Sequence, residues 1–125
     1  MGIILKNIMI FDDSSLIRTS LAFYLNKMGY CIIEVADART AINLMMKSAI
    51  DLFIIDIDMA DMERIEFLNA IKNNENTRNI PIIMISSEYS YNILEEYDNT
   101  GTRSWTINPF EPAKLFVAIK NLLVM

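Results

Sequence analysis

Short, mostly apolar runs alternate along this chain with segments whose apolar residues recur every three or four positions. The runs are only a few residues long and rich in Ile, Leu and Phe, which is typical of strands buried on both faces of a sheet. The intervening segments have the spacing of amphipathic helices. Strands that alternate with helices in this way form a parallel sheet with helices on both faces. The sequence therefore predicts a three-layer, doubly wound α/β fold.

Five strands and five helices are predicted from this pattern. The strands are Lys6–Phe11, Cys31–Val35, Leu52–Ile55, Ile80–Ile85 and Arg103–Ile107. The later helices are Ala38–Ser48, Glu63–Asn73, Glu88–Asp98 and a last one that begins at Pro112. The first helix is predicted to be capped by Ser14 or Ser15 and to end at Gly29. Its apolar face is predicted to include Leu16, and that of the third helix to include Ile65.

The composition limits the class of protein. A length of 125 residues suits one domain, 1–125. No stretch approaches the roughly 20 apolar residues of a membrane-spanning helix. The net charge of −5 argues against direct binding of nucleic acid, whose phosphates attract basic surfaces. A lone cysteine, Cys31, and an N-terminus without a recognisable secretory signal favour a cytoplasmic location.

Histidine is absent from the chain. This absence excludes histidine-based acid–base catalysis, Ser–His and Cys–His nucleophiles, and most zinc or copper sites. Any chemistry must therefore depend on carboxylates, hydroxyls, lysines or a bound metal.

Four aspartates lie where two of the apolar runs end: Asp12 and Asp13 after the first, and Asp56 and Asp58 at the end of the third. The carboxyl ends of parallel strands meet at one edge of a sheet, and ligands bind there beside the point where strand order reverses. Clustered carboxylates repel one another unless their pKa values rise or a cation neutralises them. Oxygen ligands of this kind suit Mg²⁺ or Mn²⁺. We therefore expect a divalent cation to bind at this edge.

Four segments, in order, resemble the receiver domain of two-component response regulators: FDDS at 11–14, IIDIDMADM at 54–62, IPIIMISS at 80–87 and SWTINPF at 104–110. The likeness extends over the whole chain, and the single-domain chemotaxis regulators of that family are nearest in length. The resemblance implies a flavodoxin-like sheet with strand order 2-1-3-4-5.

The resemblance also implies a role for each aspartate. Asp56 corresponds to the phosphoryl acceptor and to a metal ligand. Asp13 corresponds to a direct ligand of Mg²⁺, Asp12 to a ligand that acts through a metal-bound water, and the backbone carbonyl of Asp58 to a further ligand. The phosphoryl donor would be a phosphohistidine on a histidine kinase or a histidine phosphotransfer protein.

Two further positions correspond to the residues that switch a receiver after phosphorylation. Ser86 matches the switch hydroxyl that follows the fourth strand, and Trp105 matches the aromatic switch residue on the fifth. Tyrosines lie nearby in the fourth predicted helix, and exposed aromatic residues favour protein contacts. The face formed by the fourth helix, the fifth strand and the last helix is therefore expected to bind a downstream effector protein or a second copy of the chain. No contact with a membrane is expected.

Three positions depart from the family pattern. Asn108 stands where a lysine is usual, Ala60 where a proline is common, and Arg64, taken as a loop residue, where a glycine is common. An uncharged amide contributes about 0.5–1.5 kcal/mol through a hydrogen bond, against roughly 1.5–3 kcal/mol for a charged donor. We therefore expect firm divalent-ion binding but slow phosphorylation, with Arg64 as a candidate replacement cation.

Two other functions fit parts of the sequence. A degenerate receiver would act as a phosphorylation-independent docking module, which Asn108 and Arg64 favour. The intact aspartates and Ser86 favour phosphoryl acceptance instead. The run IIDIDM also resembles the opening motif of haloacid-dehalogenase-type phosphatases. That family needs a second acidic pair, and none follows the fifth predicted strand. Any catalysis is thus at most self-phosphorylation and dephosphorylation of Asp56.

Overall fold

A computed structural model describes residues 5–56, 58–85, 106–107 and 112–123, with only the backbone at 61, 106, 107 and 112. Within these ranges the chain forms five strands and four helices. They are β1 Asn7–Phe11, α1 Ser15–Lys27, β2 Cys31–Val35, α2 Ala38–Lys47, β3 Leu52–Asp56, α3 Asp61–Asn73, β4 Ile82–Ile85, β5 Thr106–Ile107 and α4 Pro112–Leu123. The predicted helix Glu88–Asp98 and the first part of the predicted fifth strand lie outside the described residues. No helix in the described ranges is long and apolar enough to cross a membrane.

The five described strands pair in parallel in the order β2-β1-β3-β4-β5. The register aligns Phe11 of β1 with Ile55 of β3. Asp56, the last residue of β3, is aligned with Ile85 of β4, and Ile85 is aligned with Ile107 of β5. Strand order therefore reverses at β1, which lies between β2 and β3. This confirms the predicted doubly wound, flavodoxin-like fold.

Apolar side chains cover both faces of the sheet. On one face α1 and α4 pack against Ile10 and Ile54, and on the other α2 and α3 pack against Phe11 and Phe53. Phe67 of α3 stacks on the Phe11 ring at 4.6 Å between centroids and meets the Phe53 ring edge-on at 5.6 Å. These contacts fix α3 against the two strands that end in the aspartates.

Local hydrogen bonds fix both ends of α1. The Ser14 side chain caps its start and accepts a hydrogen bond from the Ile17 amide at 3.3 Å. At its end Gly29 has a φ of +96°, a conformation that glycine adopts without steric cost. The Tyr30 amide then donates to the Leu25 carbonyl at 3.2 Å, as in a Schellman motif. The predicted start and end of this helix are confirmed.

Two side chains predicted to be buried are exposed: Leu16 by 76% and Ile65 by 45%. In α1 the inward stripe continues through Ile17, and in α3 it contains Arg64 and Phe67. The rest of each predicted face is confirmed, since Leu21 and Leu25 of α1 and Ile71 of α3 are buried. Leu16 and Ile65 each lie one residue, or about 100° of helix rotation, away from an inward position. For α3, the cause is that a charged residue occupies an inward position.

Candidate functional site

Three aspartates converge at the carboxyl edge of the sheet. Asp12 directly follows β1 and Asp56 ends β3, and the two strands are neighbours in parallel register. Asp13 is the next residue in the turn that leads to α1. One carboxylate oxygen from each of the three aspartates lies within 4.8 Å of the other two. Three of the four aspartates expected at this edge therefore form a cluster.

Burial makes this cluster electrostatically unfavourable without a counter-charge. Asp12 is 0% and Asp56 7% exposed. The pKa of Asp56 is raised to about 7, chiefly by burial and further by the Asp12 and Asp58 carboxylates, although a hydrogen bond from the Asp58 amide opposes the rise. Burial also raises the pKa of Asp12. Near neutral pH the pair therefore holds either a proton or a cation in its place.

The hydrogen bonds of Asp12 leave one of its oxygens for a ligand. Its Oδ1 accepts a hydrogen bond from the Ser14 amide at 2.8 Å. Its Oδ2 is buried, and no N–H or hydroxyl group of the described residues donates to it. A buried carboxylate oxygen without a donor is costly, whereas a hard cation would satisfy it. The oxygen donors of Asp12, Asp13 and Asp56 therefore fit Mg²⁺ or Mn²⁺.

Asp58 lies at the rim of the cluster with an exposed side chain. Its backbone amide donates to Asp56 Oδ1 at 2.8 Å, which holds the Asp56 carboxylate in one orientation. Its own carboxylate contributes to the raised pKa of Asp56, so its charge acts on the site. The role of the Asp58 carbonyl as a metal ligand stays a prediction.

The remaining predicted site residues, Ser86, Trp105 and Asn108, lie outside the described residues. Their sequence neighbours are placed, however. Ile85 is aligned with Asp56 and also with Ile107. Ser86 and Asn108 therefore follow, in sequence, residues that share a register position with Asp56. Their roles remain predictions that this alignment supports.

Two arginines hold the backbone on either side of the cluster. Arg18 Nη1 donates to the Asp12 carbonyl at 2.7 Å, and Arg64 Nη1 donates to the Met59 carbonyl at 3.2 Å. No role was predicted for Arg18, and the description of Arg64 as a loop residue was wrong, although the predicted helix Glu63–Asn73 already contained it. Helix α3 begins at Asp61, so Arg64 lies in its first turn and is only 5% exposed. Each arginine follows its carbonyl partner by six or five positions, but this spacing alone does not identify the contact.

Residues 8–120 match the family described as "Response regulator receiver domain". This span contains the sheet and the whole acidic cluster. The chain belongs to this family. It is thus a receiver domain of two-component signal transduction, and a cluster of three aspartates at the carboxyl edge, two of them buried, is consistent with phosphoryl acceptance.

Known proteins resemble this receiver domain over most of its length. CqsS of Vibrio cholerae, described as a CAI-1 autoinducer sensor kinase/phosphatase, is 30% identical over 105 residues, which are 83% of this chain and 15% of CqsS. The phosphate regulon transcriptional regulatory protein PhoB of Escherichia coli is 25% identical over 118 residues, 94% of this chain and 52% of PhoB. The receiver domain thus spans about half or less of these two relatives.

The solved structure of the chemotaxis response regulator CheY4 of Vibrio cholerae has the same fold. Its TM-score is 0.85 at 28% sequence identity, and the alignment covers 96% of this chain and all of the CheY4 chain (100%). The receiver domain is therefore chemotaxis-regulator-like in its fold.

Proposed function

We propose that Asp56 accepts a phosphoryl group from a phosphohistidine on a histidine kinase or a histidine phosphotransfer protein, within a single receiver domain that spans 1–125. The observation that carries the proposal is the position of Asp56, which ends β3 with its carboxyl group next to those of Asp12 and Asp13. A carboxylate is a competent nucleophile toward phosphorus, and this one is held in a fixed orientation.

The hydrogen bond from the Asp58 amide occupies Asp56 Oδ1, which leaves Oδ2 as the nucleophile. Oδ2 forms a bond to phosphorus while the P–N bond of the donor breaks, and the electron pair of that bond stays with the departing imidazole. A divalent cation held by Asp12, Asp13 and Asp56 would supply positive charge that offsets the charge of the phosphoryl oxygens. The fixed carboxylate lowers the cost of reaching an in-line geometry.

Asn108 would make this transfer slow. Removing a charge-stabilising donor in other enzymes costs on the order of 100- to 1000-fold in rate.

After phosphorylation, the Ser86 hydroxyl would donate a hydrogen bond to a phosphoryl oxygen, and the surroundings of the Trp105 side chain would change. That change would reach the surface formed by the predicted fourth helix, the fifth strand and α4, where we place effector binding or self-association. In α4, the Val117 side chain is 58% exposed.

A second candidate function is phosphorylation-independent docking. Asn108 favours it, because the family's lysine is absent. Receiver domains interact with histidine kinases and with downstream effectors, so either function uses protein partners. The two functions differ in one measurable property, the covalent modification of Asp56.

Incubation with acetyl phosphate and MgCl₂, followed by intact-mass measurement, tests the proposal. We expect one phosphoryl group per chain, which forms slowly and is absent in Asp56→Asn. The control Glu75→Gln changes an exposed carboxylate far along the chain and should be modified like the wild type. Equal modification of Asp56→Asn would place the acceptor elsewhere. No modification, even when Asn108→Lys is introduced, would favour the docking module.

A further inference from the structure

Asp12 is held by hydrogen bonds at three of its four polar backbone and side-chain atoms. Its amide donates to the Val35 carbonyl of β2 at 3.1 Å, and its Oδ1 accepts from the Ser14 amide at 2.8 Å. Its carbonyl accepts from Arg18 Nη1 at 2.7 Å. The fourth atom, Oδ2, is buried and receives no donor from the described residues. The residue is thus oriented so that one carboxylate oxygen remains for the acidic cluster.

Arg18 connects three elements around this aspartate. It lies in α1, its backbone amide donates to the Ser14 carbonyl at 3.0 Å, and its guanidinium reaches the Asp12 carbonyl. Its Nε lies 3.8 Å from Glu34 Oε1 on β2. The guanidinium is therefore held from the β2 side while it holds the turn between β1 and α1.

We infer that Arg18 is a positioning residue for the cation site: its bond to the Asp12 carbonyl holds the Asp12 carboxylate in the cluster formed with Asp13 and Asp56. Glu34 assists by orienting the guanidinium. This inference rests on the proposed function, because it concerns the cation that the cluster binds.

The charge of Arg18 and its hydrogen bond to the Asp12 carbonyl should change the affinity for Mg²⁺ in opposite directions. This makes the inference testable. The positive charge of the guanidinium repels a cation bound nearby. If charge alone mattered, removing Arg18 would tighten the binding of Mg²⁺. If position matters more, removing Arg18 weakens that binding, because partners that orient metal ligands typically contribute about 10- to 100-fold to metal affinity. The sign of the change therefore distinguishes the two effects.

The experiment is calorimetric titration of the full chain with MgCl₂. For Arg18→Gln we expect the dissociation constant of Mg²⁺ to rise about 10-fold. Arg18→Lys keeps the charge and one donor, so it should recover part of this loss. Glu34→Gln should show a smaller loss of about 3-fold, because the carboxylate acts through Arg18. Lys27→Gln removes a cation from the last turn of the same helix and should leave the constant unchanged.

Thermal unfolding of each variant separates positioning from general stability. A merely structural Arg18 would lower the melting temperature of Arg18→Gln and leave the Mg²⁺ constant of the folded protein unchanged, and this result would overturn the inference. Tighter binding by Arg18→Gln would overturn it as well. If Arg18→Gln does not fold, the Mg²⁺ dissociation constants of Arg18→Lys and the wild type are compared instead. Failure of the wild type itself to bind Mg²⁺ would instead contradict the proposed function.

Discussion

At the scale of single residues, the balance of charge in the site is the most unusual feature of this receiver domain. Three carboxylates lie together, two of them buried, and Asn108 replaces the lysine that the family resemblance leads one to expect. An amide donates a hydrogen bond but carries no charge to offset the carboxylates. The site is therefore expected to bind cations well and to stabilise the phosphoryl-transfer transition state poorly.

Asn108→Lys should accelerate phosphorylation of Asp56 by acetyl phosphate about 100-fold, because it would restore the charged donor that the family resemblance implies at this position. The initial rate, measured by intact mass at fixed MgCl₂, checks this. Asn121→Lys adds the same charge at an exposed position on α4 and serves as the matched control. An acceleration of equal size in both variants would mean that net charge, and not the site, controls the rate.

The raised pKa of Asp56 predicts that stability depends on pH in a definite direction. In the folded chain without metal, the Asp56 carboxyl group has a pKa of about 7. In the unfolded chain its pKa is near the ordinary value of 3.8. The stability that the proton contributes is therefore full below about pH 4 and is lost as the pH rises through 7. Asp37 does not contribute to this loss, because hydrogen bonds from Thr40 lower its pKa.

Urea unfolding at pH 5, 6, 7 and 8 checks this dependence. Without divalent ions we expect the free energy of unfolding to fall across the series, and saturating MgCl₂ should reduce the fall because the cation replaces the proton. Asp56→Asn, which cannot ionise, should show a flatter profile. The same slope in the wild type and Asp56→Asn would contradict the assignment.

At the scale of elements, α3 supports the start of α2. Glu63 Oε2 accepts a hydrogen bond from the Ala38 amide at 2.6 Å, and Asp37 caps the same helix through the Thr40 amide at 2.8 Å. The first amides of a helix have no partner within the helix, so acceptors at this end stabilise it. One acceptor comes from the adjacent residue and the other from a helix on the same face of the sheet.

Glu63→Ala should therefore lower the free energy of unfolding by about 1 kcal/mol, the typical effect of losing a helix cap. Urea denaturation measures this value. Glu66→Ala, at an exposed position of α3, is the matched control and should change stability by less than about 0.5 kcal/mol. An equal loss of unfolding free energy in both variants would show that Glu63 acts through its helix propensity in α3 and not through the Ala38 amide of α2.

The sequence predicted most elements because their signals are local. Cys31–Val35 has the predicted bounds, and Ser14 and Gly29 mark the ends of α1 as expected. The fourth strand starts later than predicted, at Ile82, since Pro81 accepts a hydrogen bond from the Phe53 amide but has no N–H to donate. The predictions were wrong where a contact with a residue distant in sequence determines the structure, because no local sequence pattern identifies such a contact.

At the scale of the whole molecule, the two edges of the sheet differ in how their polar groups are satisfied. At the amino edge, the Asn7 amide donates to Asp51 Oδ2 at 2.8 Å and the Asn7 side chain donates to the Ala49 carbonyl at 2.7 Å. Near the same edge the Thr77 hydroxyl donates to the Ile71 carbonyl at 2.7 Å. At the carboxyl edge a buried oxygen of Asp12 has no such donor among the described residues. This difference is consistent with the ligand binding that we propose at the carboxyl edge.

The meeting of Asp12 and Asp56 is the part of the site that the sequence could predict. Asp12 and Asp56 meet because neighbouring parallel strands end at one edge, and this follows from the order of elements. The contact of Arg18 with the Asp12 carbonyl could not be predicted, because it depends on how α1 packs over the sheet and on which rotamer a long side chain adopts. The same holds for the inward position of Arg64.

Titration of the ¹⁵N-labelled chain with substoichiometric Mn²⁺ tests the central claim most directly. A paramagnetic ion held by Asp12, Asp13 and Asp56 should selectively broaden the amide signals of Ser14 and Asp58, and added Mg²⁺ should restore them. Signals from the amino edge, such as those of Ser48 and Thr77, should stay sharp. Broadening centred elsewhere, or none that Mg²⁺ reverses, would contradict the account.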